Sequence, residues 1–191
     1  MNRFDLSTTP STPWKNGGGS TRELACHPPG AGMDRFEWRI SVATIAHPGP
    51  FSVFPGIARQ IMLLSGDGVH LRGPAISHAL ARRWQPFAFD GAAAVDCTLL
   101  GGTSTDFNLM LRRGCWQGAI ETVRDARHPG STPAGLCMVL AGRWHWGDAV
   151  LAAGQGCWWS APEAGPALMP QAGQGGEAPV LAWVGLAPVL E

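Results

Sequence analysis

The chain has 191 residues, with 14 basic against 14 acidic side chains and 45% hydrophobic content. That length suits one domain or two small halves sharing a core, and basic residues form no stripe of the kind phosphate backbones select, which argues against nucleic-acid binding. No run approaches the roughly 18 apolar residues of a membrane span, and Met1–Leu6 carries an acid and no apolar stretch, so it does not read as a secretory signal.

In chain order, residues 1–13 hold Ser, Thr and two prolines and read as extended backbone. Trp14–Glu23 contains three successive glycines, Gly17 to Gly19, followed at once by hydroxyl, guanidinium and carboxylate side chains. Glycines there permit a sharp bend, and Thr21–Ala25 reads as a short strand. After the Pro28–Gly32 loop, Phe36–Ala46 is a strand with Phe36, Trp38, Ile40 and Val42 on one face and Glu37, Arg39 and Ser41 on the other. His47–Pro50 ends it. Arg59–Ser65 is a compact apolar strand, and Gly66-Asp67-Gly68 reads as a hairpin turn from which Val69–Leu71 returns.

Short apolar runs follow at Ile76–Leu80, Phe87–Phe89, Val95–Leu100, Phe107–Leu111 and Trp116–Val123, each bounded by turn-forming residues. Residues 125–134 are the best linker. The last third continues with Leu136–Ala141, Trp144–Trp146, Ala149–Ala153 and Cys157–Trp159, then a loop over Pro162–Pro179 and a strand at Val180–Leu186. No stretch shows a capped helical period, so the pattern indicates a sandwich or barrel. Gln60–Gly66 and Leu136–Gly142 echo each other as two copies of one β unit.

Five widely spaced cysteines, Cys26, Cys97, Cys115, Cys137 and Cys157, form no C-x-x-C pair. They give neither a disulfide framework nor a zinc site and read as small buried residues of a protein in a reducing cytoplasm. The six histidines include no H-x-H, so no metal set is expected. No serine sits in G-x-S-x-G and no cysteine in an activating setting, so no nucleophilic triad is read. The nine tryptophans suggest core or rim packing.

What remains is a polar set within or beside apolar strands: Asn16, Thr21, Arg22, Glu23, Arg39, Ser41, Ser52, Arg59, Asp106 and Asn108. Asp106 and Asn108 share a face with Met110. These faces either look at water or line a pocket. A guanidinium in a pocket wall is a natural carboxylate clamp, and the glycine run could add backbone N–H donors to the same anion.

The stretches Trp14–Glu23, Trp38–Ala43, Gly49–Arg59 and Asp106–Met110, in that order and spacing, together resemble the HutD/Ves family. The resemblance covers residues 10 to about 115 at motif level. It implies an all-β bicupin, two cupin-type barrels spanning 1–191 as one domain, with halves near 1–124 and 135–191 joined by 125–134. It also implies a bacterial cytoplasmic protein tied to histidine utilisation or, in the Ves branch, to environmental stress. It implies a metal-free, cofactor-free cupin that binds a small carboxylate such as urocanate or a formylated glutamate and restrains the pathway. The family's motif positions fall on Asn16, Thr21, Arg22, Glu23, Arg39, Ser41, Ser52, Arg59, Asp106 and Asn108. Arg59 is the chosen clamp, with Trp38 or Phe54 as apolar wall. The family usually has an acid just before the motif arginine; Ala58 stands there, with a looser Arg59 or a different ligand as the implied result.

Three functions follow. The leading one is a non-catalytic binder of a small anionic metabolite. The second is a cupin isomerase or hydrolase using Glu23 or Asp106 as base beside Arg59. The third is an interaction module docking a partner through exposed tryptophans. No nucleic-acid or membrane partner is expected, and monomer or homodimer stays open.

Overall fold

The computed structural model describes residues 1–171 and 176–190. These residues form strands and turns without helix, so no helix is present that is long and apolar enough to cross a membrane. In chain order the strands are β1 (Asn2–Asp5), β2 (Thr12–Pro13), β3 (Gly19–His27), β4 (Trp38–Ile45), β5 (Gly49–Pro50), β6 (Ile57–Ser65), β7 (Val69–Gly73), β8 (Ile76–Leu80), β9 (Pro86–Asp90), β10 (Asp96–Leu99) and β11 (Ser104–Arg112). They continue with β12 (Trp116–Val123), β13 (Ala134–Ala141), β14 (Arg143–Trp146), β15 (Ala149–Leu151), β16 (Gln155–Trp159), β17 (Leu168–Gln171) and β18 (Val180–Pro188).

The fold is all-β and cupin-type, as expected. It divides into two units. Pro10–Cys115 form one; Met1–Thr9 with Trp116–Glu191 form the other. The division differs from the expected linker at 125–134. Strand β12 pairs with β18 along its whole length, from Trp116 opposite Pro188 to Val123 opposite Leu181, so it belongs with the C-terminal strands. Strand β1 pairs with β16 and joins the same unit.

In the Pro10–Cys115 unit, a six-stranded sheet runs β2-β3-β4-β11-β6-β9 and a four-stranded sheet runs β5-β10-β7-β8. Their inner faces meet in a core of Ile45, Ile61 and Leu63 from the first sheet against Val69, Leu71, Leu80 and Cys97 from the second. In the other unit, sheets β1-β16-β13-β18-β12 and β15-β14-β17 enclose Cys137, Val139, Trp159, Leu181 and Trp183 against Trp144, Trp146, Leu151 and Leu168. The strand order repeats: β4-β11-β6-β9 matches β12-β18-β13-β16, and β10-β7-β8 matches β17-β14-β15. The sequence echo between Gln60–Gly66 and Leu136–Gly142 marks equivalent strands, each ending on a glycine at positive φ, +89° at Gly66 and +70° at Gly142.

Two local expectations are corrected. Gly66-Asp67-Gly68 does not make a hairpin, because β6 pairs with β9 and β11 whereas β7 pairs with β8 and β10. Two glycines at positive φ turn the chain from one sheet into the other, and the Gly68 amide donates to the Ser104 hydroxyl at 2.9 Å. The expected Pro162–Pro179 loop contains β17, which pairs with β14; residues 172–175 of that span lie outside the described residues.

Candidate functional site

The site lies within the Pro10–Cys115 unit, and period-two alternation builds it. Residues directly opposite in an antiparallel ladder share a face. On the inner face of the six-stranded sheet, Arg39 and Arg59 flank Met110, Ser41 and Ile61 flank Asn108, and Ala43 and Leu63 flank Asp106. Strand β3 adds Glu23 beside Ser41 and Thr21 beside Ala43. These rows open into a cavity of about 680 Å³. Its wall also takes Trp14, Lys15 and Asn16 from the glycine-rich stretch, Phe51, Ser52 and Phe54 from the loop before β6, and Met33.

Three cations (Lys15, Arg39 and Arg59) face one carboxylate (Glu23), so the wall is net positive. The two arginines are held differently. Arg39 Nε donates to Glu23 Oε2 at 2.6 Å, and its Nη1 donates to Ser41 Oγ at 3.3 Å. Arg59 is 9% exposed and has no carboxylate partner among the described residues. Its guanidinium lies over the rings of Phe89, Phe51 and Phe54, at 4.8, 5.3 and 5.7 Å from their centroids. Its one hydrogen bond among the described residues is long, from Nη1 to the Ser52 carbonyl at 3.4 Å. Burial, with the Arg39 charge adding to it, lowers the Arg59 pKa from 12.5 to about 10. Aromatic faces stabilise a cation but leave its N–H edge unsatisfied, so Arg59 is set to receive an anion.

Of the expected site residues, the cavity gathers Asn16, Thr21, Glu23, Arg39, Ser41, Ser52, Phe54, Arg59 and Asn108. Three are placed elsewhere. Arg22 falls between Thr21 and Glu23 and is not part of the cavity wall. Trp38 is fully buried on the opposite face of β4 from Arg39, stacked on His27 with centroids 5.8 Å apart, so Phe54 alone of the two aromatics forms the wall. Asp106 is fully buried on the inner face, beneath Asn108 and outside the wall itself. The Asn108 amide donates back to the Asp106 carbonyl at 3.1 Å.

The glycine run does not supply the expected anion donors. The Gly17 amide donates to the Trp14 carbonyl at 3.0 Å and the Gly18 amide to Asn16 Oδ1 at 3.0 Å. Its role is structural: a Cβ on Gly19 would lie 2.1 Å from the Thr44 carbonyl oxygen. Ala58 sits on the strand face opposite Arg59, across from Leu111 and Asp90, so an acid at that position would not orient Arg59 from within the cavity.

Sequence reasoning set Met110 on the face of Asn108 without making it a site residue, and it did not place Trp14, Lys15, Met33, Phe51 or Phe89 among the ligand-binding residues. Met110 shares the parity of Asn108, and Trp14, Lys15 and Phe51 lie inside the quoted motif stretches. Phe89 comes from a strand thirty residues beyond Arg59 and carries no local signal. The wall contains no histidine or cysteine and a single carboxylate, so its donors do not fit zinc or another transition metal held by a set of His, Cys or carboxylate side chains. None of the nine tryptophans is fully exposed; Trp14, Trp84, Trp116 and Trp158 are half-buried.

The model for HutD matches residues 6–178. Protein Ves from Citrobacter koseri is 42% identical over 161 residues, covering 83% of each chain. The structure of HutD from Pseudomonas fluorescens superposes with a TM-score of 0.82 at 25% identity over 98% of both chains. A conserved protein of unknown function from Pseudomonas aeruginosa superposes at 0.78 and 30% identity, over 96% of this chain and 97% of that one.

Proposed function

The chain belongs to the HutD family, and we propose that it binds a small carboxylate metabolite in the Arg59 cavity and, in the cytoplasm, restrains histidine catabolism without turning the ligand over. The observation that carries this reading is the buried Arg59 guanidinium, without a carboxylate partner among the described residues, in the wall of a net-positive cavity. A carboxylate there accepts charge-assisted hydrogen bonds from the free guanidinium edge while Phe51 and Phe54 cover the apolar part of the ligand. Ser41, Thr21 and Asn108 offer neutral partners deeper in. Glu23 is held by Arg39 rather than standing beside Arg59, which speaks against its use as a free catalytic base.

The test is calorimetric titration with urocanate, N-formylglutamate, formiminoglutamate and glutamate. Saturable binding of one of them, lost in Arg59→Ala, supports the reading. Binding retained in that variant sinks the clamp. Consumption of the ligand, followed by NMR, replaces the binder by an enzyme. Saturation by other small carboxylates alone would keep the site and drop the histidine link in favour of the Ves branch.

A further inference from the structure

We propose that Asp106 is a working part of this ligand site: a buried acid set beneath the seat of the anion, which takes up a proton as the anion enters and so couples binding to pH. The proposal rests on the carboxylate-binding reading above.

The geometry comes from the inner face of β11, read downward from Met110 through Asn108 to Asp106. The cavity wall includes Met110 and Asn108, then Thr21 and Ala43 from the ladder row of Asp106, then Ile45 from the row below. The cavity therefore reaches the level of Asp106 on the neighbouring strand. Asp106 has no exposed surface, and neither carboxyl oxygen has a hydrogen-bond partner among the described residues. Buried polar atoms are nearly always paired, and a carboxyl with both oxygens orphaned calls for a role.

Leucine or valine would fill a core position between Ala43 and Leu63 without that cost. The groups facing Asp106 are few. Ala43 on β4 and Leu63 on β6 flank it, and Cys97 on β10 lies close enough in the opposing sheet for the Asp106 charge to add to the burial that raises its thiol pKa. The charged side chains on the same face, Glu23, Arg39 and Arg59, lie one or two rows toward the mouth. No cation neutralises Asp106 directly. Burial raises its pKa from 3.8 to about 7, and the thiol of Cys97 is itself pushed up to about 12, so it stays neutral.

A carboxylate arriving at Arg59 brings negative charge into the same low-dielectric interior, which favours the neutral form of Asp106 further. Near pH 7 the bound state then holds more protons than the free state, and affinity falls as pH rises, by at most tenfold per unit for one proton.

The experiment is titration with N-formylglutamate, whose carboxylates stay ionised from pH 6 to 8, in two buffers of different ionisation enthalpy. The expected result is uptake of a fraction of one proton at pH 7, and none in Asp106→Asn, whose affinity is flat from pH 6 to 8. As a check independent of that variant's folding, wild-type protein carrying carbon-13 at its aspartate carboxyls should gain infrared intensity from a protonated carboxyl on ligand addition. Binding without proton uptake, the same uptake in Asp106→Asn, or proton release would each overturn the coupling while leaving the anion site intact. Absence of any binding by wild type would remove the anion site and the coupling with it.

Discussion

Replacing Arg59 by methionine separates a binding role from a structural one, because the two predict opposite effects on stability. Methionine keeps most of the volume between Phe51, Phe54 and Phe89 and removes the charge. On the binding side, the variant loses charge-assisted hydrogen bonds worth about 1.5–3 kcal/mol, which is about 10- to 160-fold in Kd. On the folding side, the drop in the Arg59 pKa from 12.5 to about 10 corresponds to roughly 3 kcal/mol against the buried cation. Stacking on three rings returns part of that cost. Free Arg59→Met protein should therefore be as stable as wild type or more so, by up to about 3 kcal/mol. For a chain of this length each kcal/mol moves the melting temperature by about 2–4 °C, so differential scanning calorimetry without ligand resolves the outcome. A melting temperature lowered by more than about 3 °C, with carboxylate affinity retained, would refute the reasoning and make Arg59 a packing residue.

Glu23→Gln should tighten carboxylate binding by a few-fold, since it removes the cavity's one carboxylate and frees Arg39; titration calorimetry reads it, and weaker binding would mean that Glu23 contacts the ligand. Gly17→Ala should cost about 1 kcal/mol, because Gly17 has φ +71° and open space around its Cβ position. Gly19→Ala should cost clearly more in urea unfolding, because its Cβ would meet the Thr44 carbonyl at 2.1 Å and Trp14 at 3.1 Å. Asp106 gives a pH dependence with a definite sign. Its folded pKa of about 7 lies above the ordinary 3.8, so the folded state holds more protons between those values and stability falls as pH rises from about 4 through about 7. The full difference is about 4 kcal/mol, and Asp106→Asn should flatten that decline in denaturant midpoints measured across the range.

Much of the site was legible because strand periodicity is a strong local rule. Alternation placed Arg39 with Ser41, and Asp106 with Asn108 and Met110, on shared faces, and the same rule separates Trp38 from Arg39 and Arg22 from Thr21 and Glu23. Motif resemblance gathered Trp38 and Arg22 nonetheless, because a motif records neighbours in sequence without recording which face each occupies. The Glu23–Arg39 pair and the ring of Phe51, Phe54 and Phe89 around Arg59 depend on register between strands far apart in the chain, which local pattern does not encode. Gly66-Asp67-Gly68 misled for a related reason: two glycines at positive φ suit a hairpin and a turn between sheets equally well. Strand β17 escaped notice because Pro170 interrupts a run of four residues, and proline is tolerated on an edge strand such as this one.

The repeated strand order supplies an internal control. Carrying the match of Gln60–Gly66 with Leu136–Gly142 one residue back sets Gly135 opposite Arg59 in the duplicate. Following the ladders sets Trp183 at the place of Asn108 and Leu181 at the place of Asp106. A Cβ on Gly135 would meet Trp159 at 2.3 Å, and the indoles of Trp159 and Trp183 pack with centroids 5.2 Å apart where the other copy is open. The same topology thus closes over glycine, leucine and indole in one half and stands open over arginine and asparagine, with the aspartate buried beneath them, in the other. The duplicate shows that this strand order folds without the polar set, so Arg59 and Asn108 are not demanded by the topology, as the proposed ligand site requires.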